Sequence, residues 1–160
     1  MISEYYNVDA SNIHAYIIGE HGDSELPIWS NSTIGGMDIE TYCSVYARKK
    51  NAKIELAEIF DKVKNAAYQI MEAKGSTNYL IALALVKMTR AIVRNENSIL
   101  AVTTLITDFY GISDVCISIP ALVNIKGVKQ YMNLNLSGHA QKLFKHSANT
   151  LKNLRKTINL

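Results

Sequence analysis

The chain has 160 residues, of which 48% are hydrophobic and 19% are charged, so it can bury a core and is not disordered. The net charge is a mild +3. The two cysteines are widely separated, which indicates reduced thiols and no cysteine-based metal site. No signal peptide is recognised, and the longest apolar run, 79–86, is too short to cross a bilayer. We therefore expect a cytoplasmic protein that forms one domain over residues 1–160, without metal or membrane contact.

The first third of the chain predicts two strands joined by a polar loop. Residues 1–8 have the spacing of the last turns of a helix, and a turn follows over 9–12. The β-branched and aromatic run over 13–18 predicts a strand, and residues 26–33 predict its partner. Residues 37–46 predict a loop or a short helical piece.

Two helices are predicted next. Apolar residues recur at intervals of three and four over 47–74, and Gly75 then ends the first helix. The second helix runs to about Arg94, with capping side chains at its start. Its apolar run over 79–86 is nearly continuous, which predicts burial around most of its circumference.

The last third of the chain predicts an antiparallel meander and a final amphipathic helix. Three strands are expected, over 98–110, 114–120 and 121–125. The final helix has Ser137 as its N-cap, one apolar face and an opposite face rich in lysine. This order of elements predicts an α+β fold in which antiparallel strands pack with long helices.

The loop Gly19-Glu20-His21-Gly22-Asp23 carries the residue best suited to chemistry. Histidine has the unperturbed pKa nearest neutrality, so it is a natural proton donor and acceptor. Flanking glycines let the backbone approach a ligand closely or adopt unusual torsions. Composition alone nevertheless favours a plain polar turn. Thr77 has two readings as well, because its hydroxyl could contact a polar substrate or cap the second helix.

Other signatures of chemistry are missing from the sequence. It contains no GxGxxG, GxxxxGK[ST], HExxH or GxSxG motif. His139 and His146 fall in the C-terminal helix, where polar residues on a wet face are the expected reading. The lysines of the same helix predict a solvated face, with nucleic-acid binding a weaker alternative.

The segment 12–30, NIHAYIIGEHGDSELPIWS, closely resembles the active-site segment of bacterial L-lactate dehydrogenases. KGSTNY at 74–79 resembles a second substrate-side motif of that family, and the strands and final helix follow the family's order. The resemblance covers essentially the whole chain. It implies the C-terminal domain of a lactate or malate dehydrogenase, with the NAD-binding Rossmann half absent from these residues.

The resemblance implies a role for four positions. His21 would be the catalytic acid/base, giving a proton to the keto oxygen of pyruvate as hydride arrives from NADH, and taking one back in lactate oxidation. Thr77 would lie near the substrate carboxylate, and Ile81 would pack against the nicotinamide. His14 would bind the activator fructose 1,6-bisphosphate. The family also forms homo-oligomers.

The resemblance further implies that an aspartate that orients the histidine, two arginines and the cofactor domain would all lie ahead of Met1. We therefore expect these 160 residues alone to be inactive. Two alternatives stay open. The chain could be a malate dehydrogenase domain, or a non-catalytic remnant that associates through an exposed apolar face.

Overall fold

A computed structural model describes residues 1–46 and 51–158. The helices in these residues are α1 (Ile2–Tyr6), α2 (Ile39–Val45), α3 (Ala52–Lys74), α4 (Asn78–Val93) and α5 (Gly138–Thr157). The strands are β1 (Ile13–His14), β2 (Ile17–Ile18), β3 (Leu26–Pro27), β4 (Thr33–Ile34), β5 (Met37–Asp38), β6 (Ser98–Ile106), β7 (Val115–Asn124) and β8 (Gly127–Tyr131). This α+β composition with antiparallel pairing confirms the predicted fold class.

The chain divides into two compact units. The first comprises 1–15 and 32–87, and the second comprises 16–31 together with the residues from 88 onward. Helix α4 therefore begins in the first unit and ends in the second. Across residues 1–46 and 51–158, none of the helices combines the length and hydrophobicity that a bilayer crossing requires.

The first unit contains a small antiparallel sheet in the order β1-β4-β5. Strands β4 and β5 are joined by Gly35 and Gly36, whose φ values of 59° and 81° fit a turn that side-chain-bearing residues rarely adopt. The Asp38 carboxylate then caps α2 by accepting a hydrogen bond from the Thr41 N–H at 2.9 Å. Buried apolar side chains come from β4, α2 and α3, namely Ile34, Ile39, Cys43, Leu56 and Ile59.

Helix α3 begins at Ala52, whereas the sequence predicted a start at residue 47; residues 47–50 lie outside the described part of the chain. Its predicted end is confirmed, because Gly75 adopts φ 76° and donates its N–H to the Met71 carbonyl at 2.7 Å. The predicted burial of α4 is wrong. Tyr79, Leu83 and Val86 are 75%, 68% and 64% exposed.

The second unit is built on the three-stranded sheet β6-β7-β8. Strands β6 and β7 pair over nine residues, from Ser98 opposite Val123 to Ile106 opposite Val115. One face of this sheet packs against α5, whose Phe144 and Ala148 are fully buried among the core residues. The Ser137 hydroxyl accepts the Ala140 N–H at 3.2 Å, which confirms the predicted N-cap of α5.

The antiparallel meander is confirmed, but its strand boundaries are partly wrong. The first strand was predicted over 98–110 and ends at Ile106. Residues 114–120 and 121–125 were predicted as two strands and form one, β7, while the third strand is β8. Pro120 does not break β7, because its carbonyl accepts the Met132 N–H at 2.8 Å just beyond the end of β8. In an antiparallel ladder the nitrogen and the carbonyl of one residue face the same neighbour, so the N–H that Pro120 lacks leaves the pairing of β7 with β6 intact.

The strands around the histidine loop are also shorter than predicted. The run 13–18 is not one strand, because β1 pairs with β4 in one sheet and β2 pairs with β3 in another. The run 26–33 is interrupted by a 3-10 turn over Trp29–Asn31. Local β propensity identified the region correctly, whereas the choice of partner strand depends on tertiary contacts.

Candidate active site

His21 lies in the loop between β2 and β3, in the second unit. The strand ends are anchored because Ile18 and Leu26, which pair across the hairpin, are both buried in the core beneath it. Gly19 extends the anchor by donating its N–H to the Ser118 carbonyl of β7 at 3.0 Å and accepting the Ser118 N–H at 3.2 Å. The loop therefore projects from a rigid base, a favourable arrangement for a functional side chain.

The His21 imidazole is fully exposed at the tip of this loop. Its Nδ1 lies 3.9 Å from Oε2 of Glu25, whose side chain is 14% exposed. That distance is at the outer limit of an ion pair and beyond hydrogen-bond range. Glu25 therefore lies beside the imidazole without a hydrogen bond that would fix its tautomer.

The residue before the histidine is held by a serine from the C-terminal helix. The Glu20 N–H donates to the Ser147 Oγ of α5 at 2.7 Å. The Glu20 carboxylate in turn accepts the Ser24 hydroxyl at 2.7 Å and the Ser24 N–H at 3.3 Å. These bonds close the loop on itself and tie it to α5.

Gly19 is the glycine of the loop whose backbone conformation and packing require the absence of a side chain. Gly19 has φ 105°, and a Cβ added there would lie 2.7 Å from the Ser147 Oγ. At Gly22, by contrast, an added Cβ would meet only the Glu20 carboxylate, which is the end of a flexible side chain. The unusual torsion expected of a flanking glycine is confirmed at Gly19, while close approach of a ligand stays a prediction.

Thr77 and Ile81 lie together at the start of α4, in the first unit. The Ile81 N–H donates to the Thr77 carbonyl at 3.4 Å, which places the two residues one helical turn apart. Ile81 is 55% exposed, whereas Thr77 is half-buried. Side-chain capping at this end comes from Asn78, whose carboxamide oxygen accepts the Tyr79 N–H at 3.1 Å.

Thr77 lines a cavity of about 360 Å³ that lies entirely within the first unit. Most of the wall is formed by the last turns of α3 and the first turn of α4, namely Gln69, Ile70, Ala73, Lys74, Ser76, Tyr79 and Leu80. The Lys74 ammonium lies 5.8 Å from the centroid of the Tyr79 ring, within cation–π range. The cavity thus joins an apolar wall to a hydroxyl and a positive charge.

His14 lies on β1 opposite Thr33 and is exposed. His139 and His146 are exposed on α5, as the sequence predicted. Within residues 1–46 and 51–158, no three His, Cys, Asp or Glu side chains are grouped so that they could bind a metal ion. The structure thus brings Thr77 and Ile81 together in one unit and places His21 in the other.

Ser147 is the main residue that the sequence analysis missed. It lies on the apolar face of the last helix and is fully buried. The signal was available, because a hydroxyl on an otherwise apolar helix face must find a hydrogen-bond partner. The sequence could not reveal that this partner lies 127 positions away, at Glu20.

Comparisons with known proteins agree with this geometry. The family model for the lactate/malate dehydrogenase, alpha/beta C-terminal domain, matches residues 1–159. The chain is 46% identical over 155 residues to an L-lactate dehydrogenase of Priestia megaterium, covering 97% of this chain and 48% of that protein. An L-lactate dehydrogenase of Acetivibrio thermocellus is 44% identical over 160 residues, which cover 100% of this chain and 50% of the relative.

Solved structures show the same relationship. A lactate dehydrogenase from a Medee basin deep-sea metagenome library superimposes with a TM-score of 0.94 at 37% identity, over 99% of this chain and 50% of that one. The ligand-bound minor L-lactate dehydrogenase of Enterococcus mundtii superimposes with a TM-score of 0.92 at 34% identity, over 98% of this chain and 49% of that one. The chain therefore belongs to the family of lactate/malate dehydrogenase C-terminal domains, and it spans about half the length of the relatives it matches.

Proposed function

We propose that this chain supplies the catalytic histidine and the substrate-side residues of an NAD-dependent L-lactate dehydrogenase. The observation that carries the proposal is the presentation of His21 on a loop anchored at both ends, in a chain whose family model matches residues 1–159. The curated relatives named above are L-lactate dehydrogenases, which supports pyruvate and lactate as the substrates. The proposal treats residues 1–160 as one substrate-side domain.

The interconversion of pyruvate and lactate requires a proton donor of near-neutral pKa beside the keto oxygen. A protonated His21 gives its proton to the oxygen of pyruvate as a hydride reaches the carbonyl carbon, and the neutral imidazole then takes up a proton from water. In lactate oxidation the neutral imidazole accepts the hydroxyl proton.

The residues present fit NAD in part. The exposed apolar side chain of Ile81 is suited to one face of a nicotinamide ring, and the hydroxyl of Thr77 to a substrate carboxylate. The sequence has no glycine-rich fingerprint for the phosphates. NADH, when bound, supplies the hydride, while this chain's own residues orient the substrate and move the proton.

The test uses three proteins. The first is the 160-residue chain alone, which we expect to show no NADH-dependent reduction of pyruvate. The second is the chain fused to the part of the Priestia megaterium relative that it does not match, which we expect to be active. The third is this fusion protein with His21→Gln, which should lose about 10²- to 10⁴-fold in kcat, as expected for a missing acid/base.

His139→Gln in the same fusion protein is the matched control, because it removes an exposed imidazole from α5 and should leave kcat unchanged. NADH binding, followed by fluorescence, shows that each fusion protein has assembled. Full activity of His21→Gln would refute the proposal. A preference for oxaloacetate over pyruvate would favour the malate dehydrogenase alternative instead.

We propose in addition that His14 contributes to binding fructose 1,6-bisphosphate. Its support is an exposed imidazole on a strand that pairs with β4 alone among the described residues, so a phosphate can reach it from solvent. Isothermal titration of the fusion protein should give weaker binding after His14→Gln. Equal affinity in the two proteins would remove the assignment.

A second candidate function rests on the exposed face of α4. Over residues 79–86 of this helix, six apolar side chains are more than half exposed: Tyr79, Leu80, Ile81, Leu83, Leu85 and Val86. Such a surface favours association. We propose that the chain alone forms homo-oligomers through α4. Analytical ultracentrifugation should show mass increasing with concentration, and Leu83→Lys should reduce it; a monomer at high concentration would exclude this function.

A further inference from the structure

Ser147 is buried in the middle of α5, between two turns of core-facing residues. Its exposed fraction is zero, and so are those of Phe144 and Ala148 beside it. A buried hydroxyl is costly unless it is hydrogen-bonded. Its hydrogen-bond partners are Glu20 and Ser24, and both lie in the histidine loop.

The protons of these groups can be assigned by counting. The Ser24 hydroxyl has a single proton, and the shorter bond, 2.7 Å to the Glu20 carboxylate, takes it. The Ser147 Oγ already accepts the Glu20 N–H at 2.7 Å and lies 3.2 Å from the Ser24 Oγ, so its own proton is free to point at Ser24. The three residues thereby form a closed ring of hydrogen bonds.

The ring fixes the backbone that leads into His21. On one side, Gly19 is bonded to Ser118 of β7 in both directions. On the other, the space above Gly19 is filled by the Ser147 Oγ, which a Cβ would approach to 2.7 Å. The peptide between Gly19 and Glu20 is thus held by a strand and by a helix, and His21 is the first residue beyond it.

We propose that Ser147 is a positioning residue for His21: by accepting the Glu20 N–H and bracing Gly19, it sets the direction in which the loop presents the imidazole. This inference rests on the proposed function of His21 as the acid/base. Ser147 touches neither substrate nor cofactor and acts through the loop backbone. A side chain that merely filled the core would not need an oxygen at this point.

The first test needs no activity and uses the whole 160-residue chain. Ser147→Ala removes the acceptor, so hydrogen exchange at the Glu20 amide, followed by NMR, should become about tenfold faster or more, while exchange at core amides of β7 should not change. Thr150→Ala is the matched control. Its hydroxyl bonds the His146 carbonyl of its own helix, so Glu20 exchange should stay as in the parent chain.

Ser24→Ala opens the same ring from a half-buried position, so it serves as a second variant if Ser147→Ala unfolds the chain. We expect it to accelerate Glu20 exchange by a smaller factor. Unchanged exchange at Glu20 in a folded Ser147→Ala chain, or in Ser24→Ala if only that variant folds, would overturn the proposal.

The second test measures kinetics in the active fusion protein. Ser147→Ala should lower kcat for pyruvate about five- to tenfold, the effect of losing one hydrogen bond that orients the acid, and change KM less than twofold. Thr150→Ala should change neither constant. A rise in KM at constant kcat would refute a positioning role. If the unsubstituted fusion protein is inactive, the proposed function fails, while amide exchange still decides whether Ser147 holds the loop.

Discussion

Gly19→Ala gives the sharpest test of how the histidine loop is packed. The substitution adds one methyl group at a position with φ 105°, outside the region that residues with a side chain normally adopt. The new carbon would lie 2.7 Å from the Ser147 Oγ, 3.2 Å from the Leu26 Cδ2 and 3.3 Å from the Ser24 carbonyl oxygen. Neither the strand nor the helix can move away without disturbing the core.

The expected loss of stability has two parts. Backbone strain at this φ costs about 1–3 kcal/mol. Overpacking against the serine and the leucine costs about 1–3 kcal/mol more. Gly127→Ala isolates the first part, because Gly127 also lies in the second unit with φ 86° but has nothing within 4 Å of an added Cβ. Gly19→Ala should therefore destabilise the chain by at least about 1 kcal/mol more than Gly127→Ala.

Urea denaturation followed by circular dichroism measures both variants. The double variant Gly19→Ala, Ser147→Ala removes the oxygen that the new methyl group would meet. Its free energy of unfolding should exceed the value expected from adding the two single effects by about 1 kcal/mol. Equal destabilisation by Gly19→Ala and Gly127→Ala, or strict additivity of the double variant, would show that the loop is not packed against Ser147.

Three further outcomes are expected in the same assay. Phe144→Ala, at a fully buried ring in edge contact with Phe109, should cost about 3–5 kcal/mol, and a cost below 1 kcal/mol would place that ring outside the core. Ser137→Ala should cost about 1 kcal/mol by removing the N-cap of α5, whereas Ser137→Asp should not. Burial, and then the hydrogen bond from Cys43, raise the pKa of Tyr6 above its ordinary value of 10.0, so the folded chain holds that proton more tightly. The contribution of Tyr6 to stability is therefore fully present below pH 10.0 and is lost as the pH rises above that value. Tyr6→Phe should lessen the decline in stability between about pH 9 and pH 11. An identical decline in the variant would contradict the assignment.

Local sequence signals located most elements because their causes are local. The C-cap at Gly75 and the N-cap at Ser137 follow from a glycine that can adopt positive φ and a hydroxyl that can accept a backbone N–H. The strand boundaries failed where the cause was distant. Pro120 was expected to end a strand, yet its backbone nitrogen faces away from β6, so the pairing of β7 with β6 continues through it.

Helix α4 also shows what local sequence signals do not determine, namely which side of a helix is buried. Its continuous apolar run correctly predicted a helix, but periodicity cannot say what, if anything, covers each side. Met88 and Ala91 pack against the sheet of the second unit, while Leu83 and Val86 remain exposed. An apolar run shows only that a helix tends to be buried, and the tertiary packing decides which of its residues are buried.

By itself the sequence determined the fold class, the element order and the motif around His21. These depend on residue type and short-range spacing, which the chain carries wherever it folds. Only the tertiary structure decided how the loop is held, because Glu20 and Ser147 are 127 positions apart and meet only when α5 packs on β7. The histidine was readable from its neighbours, whereas the serine that holds its loop became visible only once the core had formed.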